Sequence, residues 1–309
     1  MSHHTSSPNK VAIIGAGAVG STAAYAATLK NVAAEIVLID INDTKEEGEV
    51  MDIRDGICFV ETGCIKGADF KDAKDADVIV VTAGAPQKPG ETRLDLVKKN
   101  KEILLSIFKK IGKLKPTAII LMIANPVDVL TYLAQEITGL PHAQVFGSGT
   151  GLDTARLKTE LGKYFNVSAQ NIHGYVLGEH GDTEFVAWST VTIGGVPISQ
   201  IKQFNERTKK EMEQRVRTEA YEIINRKGAT FYGIGLVISE MLEAILYNQH
   251  KIMPASVRLE NWNGVSNVCI GVPAVIGRNG IEKIWPLKLP SVELKRFKRS
   301  AETLKTYLK

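Results

Sequence analysis

The stretch from Lys10 to Asp40 restricts the folds open to this chain more than any other. A short β-branched run, Lys10 to Ile14, meets Gly15-Ala16-Gly17-Ala18-Val19-Gly20, and Ser21 to Leu29 beyond it is rich in helix formers. A second apolar run, Glu35 to Ile39, ends on Asp40. Strand, G-x-G-x-x-G turn, helix and a second strand ending in an acid together predict a dinucleotide site. Gly15 permits the tight turn, Gly17 lets backbone amides approach a pyrophosphate, and Gly20 lets helix and strand pack closely. Ala18 and Val19 open a helix whose N-terminus favours phosphate charge. Asp40 is positioned to accept hydrogen bonds from ribose hydroxyls and to repel a 2′-phosphate, which favours NAD over NADP.

The alternation continues. Asp77 to Thr82 reads as a buried strand running into Ala83-Gly84, Ala118 to Ile123 as another ending at Ala124-Asn125-Pro126, and Gln144 to Ser148 as a shorter one. Helical segments such as Leu94 to Ile111 separate them. This pattern predicts an α/β fold: a doubly wound, Rossmann-type parallel sheet covered on both faces. Ligands sit at the C-terminal ends of such strands, where Gly84, Asn125 and the segment after Gly147 fall. Ala85 to Arg93, with two prolines and a glycine, is a loop at that end and is suited to act as a mobile lid.

At Gly149-Thr150-Gly151 the character changes. A helix is expected from Leu152 to about Phe165, then a strand-like segment from Phe185 to Ile193. Beyond it the expectation is one long helical stretch from about Lys209 to Asn248 that contains Gly228-Ala229-Thr230, and a hairpin-like strand pair within Val265 to Ile276. Ile281 to Leu289 reads as a short segment interrupted by Pro286, and Ser291 to Leu308 as an amphipathic helix. The expected organisation is an NAD-binding domain over 9–147 and a mixed α+β substrate domain over 148–309. No flexible linker separates them, so they are expected to pack as one unit.

Composition narrows the function. With 309 residues, 44% of them hydrophobic, the chain can bury one large core or two ordinary ones. Its 23% charged residues and net charge of +4 give no signature of disorder. The basic runs Lys98-Lys99-Asn100-Lys101 and Lys295 to Arg299 lie among apolar residues at helical spacing, so they read as solvated helix faces and not as a nucleic-acid or membrane surface. Cys58, Cys64 and Cys269 are odd in number and lack C-x-x-C spacing, as for reduced thiols of a cytoplasmic protein. No apolar run nears the ~20 residues that span a bilayer. Met1 to Asn9 is polar and does not read as a secretory signal. His3-His4 is not read as a metal site, and none is expected.

The chemistry centres on Gly178-Glu179-His180-Gly181-Asp182-Thr183, just after the apolar run Tyr175-Val176-Leu177. This reads as a strand end that presents an imidazole, the side chain suited to pass a proton near neutral pH, with little bulk beside it. Asp153 and Arg156, at i and i+3, share one face of the helix that begins near Leu152.

These pieces carry a resemblance. The glycine turn, Gly84-Ala85-Pro86-Gln87-Lys88-Pro89-Gly90-Glu91-Thr92-Arg93, Asn125-Pro126-Val127-Asp128, Leu152-Asp153-Thr154-Ala155-Arg156 and Gly178 to Thr183 occur in the order of the lactate/malate dehydrogenase family, which the chain resembles over most of its length. The resemblance implies NAD as cofactor and hydride transfer to a 2-oxo acid. It implies His180 as proton donor to the carbonyl oxygen, Asp153 as the group that fixes its tautomer, and Arg156 as the bidentate partner of the substrate carboxylate. Arg93 would polarise the carbonyl, Asn125 would bond near the substrate oxygen and the nicotinamide, and Thr230 would line the pocket. Malate dehydrogenases resemble this loop but carry arginine where Gln87 stands. A neutral Gln87 implies pyruvate and lactate, with malate or a broader 2-hydroxy acid as the alternative. Lys88 occurs on both branches. The family's effector site for fructose 1,6-bisphosphate would fall on Lys158 and His173, with lysine here in place of an arginine, so activation stays open. A homotetramer, or a dimer, is the assembly the resemblance implies.

Overall fold

The computed structural model describes residues 9–61, 63–86, 90 and 92–308. The first half runs β1 (Lys10–Ile14), α1 (Ala18–Leu29), β2 (Glu35–Ile39), α2 (Asp43–Asp55), β3 (Ile65–Gly67), β4 (Val78–Val81), α3 (Arg93–Ile111), β5 (Ile119–Met122), α4 (Val127–Thr138) and β6 (Val145–Gly147). These six strands lie parallel in the order β3-β2-β1-β4-β5-β6. Every residue of β4 and β5 is buried, because helices cover both faces. Alternation assigns the side chains: Val11 and Ile13 of β1 enter one hydrophobic core, Ala12 and Ile14 the other. The strand order reverses between β1 and β4, and the crevice there opens at Gly15 and at Thr82 to Gly84.

The second half contains α5 (Gly151–Phe165), β7 (Ile172–His173), β8 (Val176–Leu177), β9 (Phe185–Val186), β10 (Thr192–Ile193), β11 (Val196–Pro197), α6 (Glu206–Lys227), α7 (Tyr232–Leu246), β12 (Lys251–Arg258), β13 (Cys269–Gly277), β14 (Gly280–Ile284) and α8 (Ser291–Thr306). β12 pairs antiparallel with β6 through Ser256 and Gly147, so β12, β13 and β14 extend the first half's sheet to nine strands. A separate core under α5 and α6 gathers Leu157, Leu161, Ile172, Val186, Phe204 and Val216.

Four expectations change. The long helical stretch is two helices: Gly228 stands at φ +86°, a conformation open to glycine, and ends α6 before Thr230. The hairpin is not contained in Val265 to Ile276; its first strand is Lys251–Arg258, which pairs with Cys269–Gly277. Phe185 to Ile193 is not one strand, because a 3-10 turn at Trp188–Thr190 divides it. In Ile281 to Leu289 the strand begins at Gly280 and stops at Ile284, ahead of Pro286. Among the described residues, no helix is long and apolar enough to cross a membrane.

Candidate active site

The glycine turn comes first. Gly15 stands at φ +108° and a Cβ on Gly20 would lie 1.8 Å from the Gly15 carbonyl oxygen, so the turn and the start of α1 tolerate no side chain at Gly20. A Cβ on Gly17 would meet nothing within 4 Å, and no side chain caps the N-terminus of α1. The amides of Ala18 to Gly20 precede the first intrahelical bond, Ser21 N–H to the Gly17 carbonyl, and so have no acceptor within the helix, as binding a pyrophosphate requires. Asp40 accepts the Ala16 N–H at 2.6 Å and the Asn42 N–H at 3.0 Å, which fixes its carboxylate beside the turn. The residues present fit NAD.

His180 lies on the loop between β8 and β9, and both halves of the chain hold it there. Gly178 exchanges backbone hydrogen bonds with Gly271 of β13 at 3.1 and 2.9 Å. Asp128, in the first turn of α4, accepts the His180 N–H at 2.8 Å and the Ser256 hydroxyl at 2.6 Å. Ser300 of α8 accepts the Glu179 N–H at 2.7 Å.

The His180 ring donates through Nδ1 to Asp153 Oδ2 at 2.6 Å, and Arg156 Nη1 donates to Asp153 Oδ1 at 3.0 Å. Asp153 and Arg156 are both buried, so this is no surface ion pair. Burial opposes a charge on the imidazole, but the Asp153 carboxylate and its hydrogen bond, with smaller contributions from Glu184 and Asp128, outweigh it and push the His180 pKa up to about 9. Burial alone would raise Asp153; His180 and Arg156 hold it below the usual carboxylate range. For Asp128 burial wins, and its pKa is pushed up to about 6 despite the Ser256 and His180 donors. Arg93, at the start of α3, pairs with the buried Glu179 at 2.9 Å, one residue from His180, and lies over the Tyr307 ring.

Asn125 follows β5 in a cis peptide with Pro126. Gly84 follows β4 and faces Ala124 and Asn100. His180, Asp153 and Arg156 are thus joined by direct contacts, Arg93 is tied to Glu179 next to His180 in the chain, and Gly84 and Asn125 stand at the crevice. Thr230 lies in the break between α6 and α7. Lys158 is half-buried on α5, with burial and Lys251 holding its amine below the usual range, and His173 is exposed on β7. Gln87 and Lys88 lie outside the described residues.

Three residues escaped sequence reasoning. Asn100 sits inside a lysine run but is buried: its Oδ1 accepts the Ala85 N–H at 2.7 Å and its Nδ2 donates to the Ala85 and Asn125 carbonyls at 3.3 and 2.8 Å. It ties the two ligand-end loops together; its place on the apolar face of α3 was the available signal. Asp128 lies in the Asn125 to Asp128 motif, but its bonds to His180 and Ser256 join residues far apart in the chain. Glu184, buried beside Asp153, carried no local signal.

A cradle for an anionic dinucleotide at the switch point, with an acid-backed histidine and a buried arginine beside it, defines an NAD-dependent oxidoreductase. Family comparison agrees: residues 9–147 match the NAD-binding domain, and residues 150–309 the α/β C-terminal domain, of lactate/malate dehydrogenases. The chain belongs to the lactate/malate dehydrogenase family. It is 44% identical over 304 residues to an L-lactate dehydrogenase of Clostridium botulinum strain Loch Maree, covering 97% of this chain and 96% of that one. It is 45% identical over 305 residues to one from Thermoanaerobacter sp. strain X514, covering 97% and 98%. A minor L-lactate dehydrogenase from Enterococcus mundtii, solved with ligands bound, superposes with a TM-score of 0.94 at 40% identity, covering 97% of each chain. A lactate dehydrogenase from a Medee basin deep-sea metagenome library gives 0.93 at 41% identity, covering 98% of each.

Proposed function

We propose that this chain interconverts pyruvate and L-lactate with NADH and NAD. The observation that carries this reading is the buried Arg156–Asp153–His180 chain, which pairs a cation for a carboxylate with a proton donor whose pKa lies near 9. When bound, the nicotinamide supplies or accepts the hydride. Arg156 binds the substrate carboxylate. With Nδ1 committed to Asp153, Nε2 of His180 gives its proton to the carbonyl oxygen, and Asp153 stabilises the imidazolium that exists before transfer. Arg93 polarises the carbonyl, Asn125 orients it, and Thr230 lines the pocket. Gly15, Gly17, Ala18, Val19, Gly20, Asp40 and Gly84 hold the cofactor.

Gln87 is the specificity residue in this reading. A second substrate carboxylate enclosed without a cation costs on the order of several kcal/mol, which disfavours oxaloacetate. The enzyme then serves the reduction of pyruvate that follows glycolysis, in the cytoplasm, as a homotetramer or dimer. Lys158 and His173 are the residues we assign to a fructose 1,6-bisphosphate effector. A pyruvate saturation curve that the bisphosphate leaves unchanged at several pH values refutes that assignment.

The test of function is NADH oxidation with pyruvate and with oxaloacetate side by side. A large preference for pyruvate is expected, and preference for oxaloacetate overturns the substrate. Gln87→Arg is expected to gain oxaloacetate activity and lose pyruvate activity; an unchanged preference removes Gln87 from the role.

A further inference from the structure

Behind the Asp153–His180 pair stands an acid that belongs to none of the motifs. Glu184 immediately precedes β9 and is 5% exposed. One carboxylate oxygen each from Asp153 and Glu184 and one ring nitrogen of His180 lie within 4.8 Å of one another. Two buried carboxylates this close would repel strongly out of water if both were ionised, and a hydrogen bond between them needs a proton on one of them.

The cations decide which acid keeps the proton. Asp153 is in contact with both, His180 on Oδ2 and Arg156 on Oδ1. On the other side of Glu184, Arg217 of α6 donates Nη2 to the Glu184 backbone carbonyl at 3.1 Å and to Glu213 at 3.0 Å. Its charge is shared with a carboxylate that also binds Arg296. Tyr221, also on α6, directs its hydroxyl to Asp182 at 3.3 Å. The charge balance therefore leaves Asp153 ionised. Burial first, and the Asp153 charge second, raise the Glu184 pKa far above the carboxylate range.

We propose that Glu184 is a positioning residue: a neutral carboxylic acid that donates its proton to Asp153 and leaves Asp153 the only anion in contact with the His180 ring. The proposal rests on the reading of His180 as the acid of the reaction. A neutral Glu184 holds the Asp153 carboxylate in place. An ionised one would add a second negative charge behind the ring and hold the proton that must leave for pyruvate.

Infrared difference spectroscopy tests the protonation directly. Wild type minus Glu184→Gln at pH 7 is expected to show the carbonyl stretch of a protonated carboxyl group; a carboxylate band in its place overturns the proposal. Kinetics test the role. Glu184→Leu removes the donor and is expected to lower kcat/KM for pyruvate about tenfold or more. Glu184→Gln restores a neutral donor, so most of that loss returns and the basic limb of the pH profile stays within about 0.3 unit of wild type. A limb that falls by about a unit or more in the glutamine variant means that a charge was removed, and the proposal fails. Equal losses in both variants with an unmoved limb mark a packing role and also overturn it. Should Glu184→Leu not fold, the glutamine variant and the infrared band still decide. A wild type that turns over no 2-oxo acid refutes the assigned function, and the infrared band then still reports on Glu184.

Discussion

The contact that most sets the chemistry is the 2.6 Å hydrogen bond between His180 Nδ1 and Asp153, and Asp153→Asn tests it with little change of shape. With the carboxylate present the imidazole pKa is about 9, against an ordinary value of 6.5. That difference is about 2.5 units, or about 3 kcal/mol of preference for the protonated ring. Burial pulls the other way, so without the carboxylate the pKa should fall to 6.5 or below. At pH 8 the protonated fraction then drops from about nine-tenths to a few per cent, a loss of about thirtyfold from titration alone. The assay is kcat/KM for pyruvate at saturating NADH across the basic range, where the limb reports the acid of the binary complex. Glu184, relieved of the Asp153 charge, can ionise and hold part of the shift, so the substitution is also made with Glu184→Gln. We expect the limb to fall by at least about one unit in the single variant and by about two or more in the double variant. A limb that stays near its wild-type pH in the double variant refutes Asp153 as the source of the basicity of His180.

Three further outcomes follow from the geometry. Asn100→Leu leaves the Ala85 N–H and the Asn125 carbonyl without their partner at a part-buried site, so unfolding free energy should fall by about 1–2 kcal/mol, read by denaturant titration, with a raised KM for NADH. Gly20→Ala sets a methyl group 1.8 Å from the Gly15 carbonyl oxygen; we expect at least about 3 kcal/mol of destabilisation in calorimetry and lost NADH fluorescence enhancement. His180 links stability to pH: its folded pKa lies above the unfolded value, so its contribution is complete below about 6.5 and is lost as pH rises through about 9. With the ring a quarter exposed we expect the loss to be about 2 kcal/mol between these values, seen as a falling Tm that flattens in His180→Asn.

What the sequence disclosed follows the range of the interactions. The glycine turn is legible because its constraint is local: the Cβ of residue 20 meets the carbonyl of residue 15. The long helix failed for a local reason as well, since Gly228 was visible but its φ of +86° was not. Strand β12 went unread because its pairing with β13 joins residues as far apart as Lys251 and Ile276. The Asn100 bonds span 15 and 25 residues and the Asp128 bonds span 52 and 128. Nothing in the immediate neighbourhood of either residue announces such partners.

The acids around His180 show why residue type alone could not assign them. Asp128, Asp153 and Glu184 all lie near one imidazole, yet their surroundings drive their proton affinities apart. Asp153 meets two cations and falls; burial raises Asp128 to about 6 against the serine hydroxyl and backbone amide that lower it. Burial first, and the Asp153 charge second, raise Glu184 further. The residue proposed as general acid was readable from the glycines beside His180 and from its family motif. The charge that tunes it depends on how α4, α5 and the segment before β9 dock around one loop. A histidine needs one well-placed anion to stay protonated up to about pH 9 and still release its proton to a carbonyl oxygen. Here the fold assembles three acids and, through burial, discourages two of them from carrying that charge.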